Sequence, residues 1–156
     1  MQNLLLFAVA GKTAAELILA RANPADPHFG LLTWKGDKVR KTDIVVAKNY
    51  LSEDEIDTLN RLVVIFLETA ELRAKSKQET RMAFWKQNVD QIITANGFPL
   101  LQHADSVSHG QMEAHTTELF QAFEARRKGR EAADADQQDE ADLKALESKI
   151  QRRPKP

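Results

Sequence analysis

The chain has 156 residues, with 22 Lys plus Arg against 23 Asp plus Glu, which suits one domain with a tail and gives no bulk charge for a nucleic-acid coat or an acidic-ligand trap. The absence of cysteine excludes disulfides, thiolate metal sites and cysteine nucleophiles. Six Gly and five Pro are too few for a turn-rich β-sandwich.

The first predicted helix covers residues 2–9 and carries the one strongly apolar run, Leu4 to Ala10. A bilayer span needs about 20 apolar residues, so no membrane segment is expected. Ala8-Val9-Ala10 resembles a signal-peptide cleavage site, but no Lys or Arg precedes the run. A buried helix and a cytoplasmic location are the expectation.

Thr13-Ala14-Ala15-Glu16 is a capping box and opens a second helix, which Asn23-Pro24 and Asp26-Pro27 close. Residues 28–41 read as irregular or weakly extended, with a turn at Gly36-Asp37 and room for a small hairpin. Thr42 is expected to cap a short helix over residues 43–49. Ser52-Glu53-Asp54-Glu55 is a second capping box and opens the strongest helix, which runs to about Lys75. Ile56, Leu59, Val63, Phe66, Leu67 and Ala70 recur at spacings of three and four, and Leu62 and Ile65 widen the apolar arc. An arc that broad predicts an interior rod surrounded by its neighbours.

Thr80 is expected to cap the next helix, with Met82, Trp85, Val89, Ile92 and Ile93 inward and Asn96-Gly97 as its stop. Ser108 caps a further helix with Met112, Thr116, Leu119, Phe120 and Phe123 on one side. From Glu124 onward, Leu143, Leu146 and Ile150 are the large aliphatics left, and they share a face that a partner helix could cover. Glu124–Lys128 and Glu140–Lys144 have the favourable i,i+4 order. The expected architecture is all-α: a compact bundle of about five helices, one irregular loop over residues 28–41, and a charged, partly helical C-terminal extension. The domain limits are 1–123 for the bundle and 124–156 for the extension.

No motif for chemistry is complete. Ala10-Gly11-Lys12-Thr13 has the end of a phosphate-binding loop, but Leu6 occupies the position of its first glycine, so the segment reads as a turn and a helix cap. No two of His28, His103, His109 and His115 stand at i,i+4 or in metalloprotease spacing, and His115 reads as packed beside an apolar face. Neither a catalytic residue, nor a metal ligand, nor a small-molecule cofactor is expected. Trp34, Lys35, Lys38, Arg40, Lys41 and Lys48 form the most plausible contact patch, since cations beside an aromatic can grip phosphates and stack on a base. A second basic cluster is Arg73, Lys75, Lys77 and Arg81.

Several strings carry a family likeness: Gln2-Asn3, Ala8 through Ile18, Gly30-Leu31, Thr33-Trp34-Lys35-Gly36, Val39-Arg40-Lys41, Ala47 through Leu51, and Leu59-Asn60-Arg61. In order and spacing over residues 2–123 they resemble the C-terminal half of RhuM family virulence proteins. The resemblance implies a bacterial protein borne on islands or mobile elements, and it transfers no catalytic residue. Full members carry an additional N-terminal half with a helix-turn-helix-like segment, so a truncated reading frame with exposed apolar surface around residues 4–7 is expected. Within the motifs, Gly11, Thr13 and Gly36 read as joints of the fold.

The function expected is a non-enzymatic interaction or regulatory domain that meets a protein partner or itself. One alternative is a nucleic-acid-binding domain using the segment Trp34–Lys48. The other is a toxin-like enzyme whose site the fold assembles out of sequence order.

Overall fold

The structure, a computed structural model, describes residues 2–102 and 106–151. Among them are five α-helices, one 3-10 helix and no strand, so the fold is all-α. The helices are α1 (Gln2–Ala10), α2 (Ala14–Arg21), α3 (Glu53–Lys75), α4 (Met82–Ala95) and α5 (His109–Gln151), with the 3-10 turn at Ala47–Tyr50. The chain divides into two units, Met1–Phe120 and Gln121–Pro156.

In the first unit, α1 contacts α2 and α3, α3 contacts α4, and α2 contacts the 3-10 turn. One apolar cluster joins Ala8 of α1, Leu62 of α3, and Val89, Ile92 and Ile93 of α4, with Phe66 and Phe98 packed against it. Leu17, Ile18, Phe29, Ile44, Tyr50, Leu51 and Met112 are also buried, and the Phe29 ring meets Phe120 edge-on at 5.7 Å. Leu6 is buried and Leu4, Leu5 and Phe7 are half-buried, so the apolar surface expected at residues 4–7 is largely covered.

The joints form as their residues dictate. Gly11, at φ 66°, turns the chain between α1 and α2, and its amide donates to the Phe7 carbonyl at 2.8 Å. The Glu16 carboxylate accepts the Thr13 amide at 3.0 Å. The box at Ser52 closes in both directions: the Ser52 amide donates to Glu55 Oε2 at 2.8 Å, and the Glu55 amide to Ser52 Oγ at 3.3 Å. Ser108 and Gln111 cap α5 in the same reciprocal way.

Arg21 ties α2 to the start of α3. Its guanidinium donates to both Glu55 carboxylate oxygens, at 2.6 and 2.7 Å, and to the Tyr50 carbonyl at 2.6 Å. The Arg21 carbonyl meanwhile lies against Gly30, where an added Cβ would stand 2.1 Å from its oxygen. Gly30 has φ 81°, so both its conformation and its surroundings require glycine.

Several expectations need correction. Residues 28–46 form turns with no hairpin, and the helix expected over residues 43–49 is a turn followed by the 3-10 helix. The Asp43 carboxylate, rather than Thr42, caps that turn, accepting the Arg40 amide at 2.9 Å. The N-cap of α4 is Arg81 rather than Thr80, with no side-chain hydrogen bond, and Met82 is exposed. His115 is exposed.

The largest correction concerns α3. Leu62 is its one fully buried residue; Ile65 is 38 % exposed, and Val64, Leu67 and Leu72 are more exposed still. The helix is therefore not an interior rod: α1 and α4 cover one side and the other faces solvent. Its C-terminus closes when the Gln78 amide bonds the Arg73 carbonyl at 3.1 Å, with Lys77 at φ 51°.

The second unit is helix throughout its described length. Strong helix formers fill it, and Arg127–Glu124 at 3.3 Å and Lys144–Glu140 at 3.8 Å pair along its surface. Leu143 and Leu146 are exposed; the side chain of Ile150 lies outside the described residues.

Candidate functional site

The basic segment is organised by Asn49. Its carbonyl accepts the amides of Leu32 and Thr33 at 2.8 and 3.1 Å, and its side-chain amide donates to the Asp43 carbonyl at 2.9 Å. These bonds hold the loop segment entering Trp34 against the 3-10 turn that carries Lys48. Trp34 is half-buried and stacks on His28, with ring centroids 4.5 Å apart. Lys35, Lys38, Arg40, Lys41 and Lys48 are all exposed. The Arg40 guanidinium lies by Gly36 and its amide is fixed by Asp43, so this cation projects from an ordered turn. These cations are exposed along the segment, and the stacked His28 occupies one face of the aromatic ring.

Elsewhere, Glu16, Glu55 and Tyr50 are committed to structure. Glu16 accepts from the Ser106 hydroxyl, its amide and the Thr13 amide, and these bonds lower its carboxyl from 4.5 to about 2. A carboxylate so acidic is a weak base at neutral pH. Glu55 is lowered to about 2 chiefly by the Arg21 hydrogen bonds, which raise Arg21 in turn. Burial pushes the Tyr50 phenol upward, and its hydroxyl donates to the Ile44 carbonyl at 2.8 Å.

The described histidines take part in no cluster of potential metal ligands. His28 is on Trp34, His109 borders a pocket beside Gln2 and Asn3, and His103 lies outside the described residues. Among the described residues no three potential metal ligands meet. Lys12 is exposed beside the Gly11 turn.

A surface that the sequence reading missed lies on α3 and α4. A groove of about 650 Å³ is lined by Val64, Ile65, Leu72, Arg73 and Phe84, with Glu68 at its edge. Arg73 covers the Phe84 ring, its guanidinium carbon 3.7 Å from the centroid, and Trp85 packs between Phe84 and Phe66. Arg73 of the second basic cluster is thus drawn into the groove wall, whereas Lys75, Lys77 and Arg81 are exposed. Val64 and Leu72 are 53 % and 66 % exposed, which makes this an apolar strip in water. The breadth of the apolar arc on α3 was its signal, and enclosure was the wrong inference from it.

No single described helix is long and apolar enough to cross a membrane. No curated protein and no solved structure gives a significant match. The sequence profile of one family does match, over residues 1–131, and takes in both the basic segment and the α3–α4 groove. By that match the chain belongs to the Virulence protein RhuM family.

Proposed function

We propose that the chain is a non-enzymatic protein-interaction domain of a virulence-associated protein, and that the solvent-facing side of α3 is its working surface. One observation carries this reading. Val64, Ile65 and Leu72 stand in water on a helix capped at both ends, bordered by exposed charges. Apolar side chains left contiguous on a surface lower their free energy when a partner covers them. A photo-crosslinking residue at position 65, introduced in cells, is expected to yield protein adducts, and one at position 12 to yield none. No adduct from position 65 would remove the proposal.

A second reading rests on the exposed cations Lys35, Lys38, Arg40, Lys41 and Lys48 that follow Trp34 in the chain. Nucleic-acid binding there predicts oligonucleotide affinity that falls steeply with salt. Lys38, Arg40 and Lys41 changed together to Ala are expected to abolish it; binding that survives the triple change removes this reading.

A further inference from the structure

The exposed stripe of α3 has an order that the groove alone does not explain. Asp54, Arg61, Glu68 and Lys75 are all exposed and stand seven residues apart, so they fall close to one line along the helix. Their charges run minus, plus, minus, plus. Val64 and Ile65 sit at the middle of the helix beside this line, and Leu72 continues the apolar strip toward the C-terminus.

Resting on the reading of α3 as a protein-binding surface, we propose that its occupant is a second copy of this chain, docked antiparallel through α3. A two-fold axis between Val64 and Ile65 reverses one helix against the other. It sets Arg61 opposite Glu68 of the second copy and Asp54 opposite Lys75, and symmetry makes each pairing twice. Val64 and Ile65 from both copies cluster at the axis, where apolar burial supplies affinity while the flanking charges set orientation. A parallel pairing would oppose each charge to its own kind and is disfavoured. Arg61 now holds Asp57 at 2.6 Å with both side chains exposed, so it can turn to a partner at little loss.

Sedimentation equilibrium of the full chain is expected to show a dimer. Arg61→Glu and Glu68→Arg, each with an unchanged circular dichroism spectrum, are each expected to weaken association by roughly tenfold or more. An equimolar mixture of the two variants is expected to associate as wild type does, because each supplies the charge the other lacks. A chain that stays monomeric, single variants that associate normally, or a mixture that stays apart overturns the proposal. Crosslinks from position 65 to a different protein, with the purified chain monomeric, overturn the second copy as occupant but leave the interaction reading in place. The absence of any crosslink removes the reading itself.

Discussion

Gly30 illustrates how much rests on single residues. Its neighbour across the fold is a backbone oxygen, which cannot swing aside, and its φ is positive. Gly30→Ala is therefore expected to destabilise the protein by about 2 kcal/mol or more, read from urea denaturation. The Arg21–Glu55 pair gives a pH dependence of definite sign. Glu55 is lowered from 4.5 to about 2, so its contribution is complete above pH 4.5 and fades as pH falls toward 2. The side chains are 33 % and 21 % exposed, and solvent screening reduces the contribution to about 1–2 kcal/mol. Glu55→Gln is expected to lower stability at pH 7 by that amount and to flatten the loss between pH 4.5 and pH 2. The capping role of Glu55 was legible, because a capping box is local; its bond to Arg21 was not, because α2 and α3 meet only in the folded chain.

At the scale of elements, every long helix was legible from periodicity, caps and stops. What periodicity could not supply was the neighbour. It marks which side of α3 is apolar, whereas burial depends on whether another element of the same chain arrives there. Leu62 is enclosed by α1 and α4, whereas Ile65 and Leu72 border the open groove. In dilute protein Leu62→Ala is expected to cost about 2–4 kcal/mol, while Ile65→Ala and Leu72→Ala each stay within about 0.5–1 kcal/mol. Chemical denaturation of the three variants side by side tests the distinction. The basic residues were legible as a cluster along the chain. The bonds by which Asn49 ties Leu32 and Thr33 to the 3-10 turn were not, since they join residues well apart in sequence. The continuity of α5 past Phe123 was less legible for another reason: loss of large apolar residues signals loss of core, not loss of helix.

For the molecule as a whole, the division at Phe120 separates a unit with an apolar core from a helical unit that is exposed over residues 128–149. The family match ends at residue 131, within the second unit. Removal of residues 132–156 is therefore expected to leave the melting temperature of the first unit unchanged within about 2 °C while lowering total helical signal. Differential scanning calorimetry with far-ultraviolet circular dichroism measures both.

Arg21 has a consequence that reaches beyond its own bonds. Its side chain fastens α2 to the residues on either side of the α3 cap, and the whole irregular stretch between them is held as a closed loop. Secreted proteins commonly fasten such loops with sulfur. Here, in a chain without cysteine, the clasp is ionic, so reductants leave it shut and strong acid unlatches it.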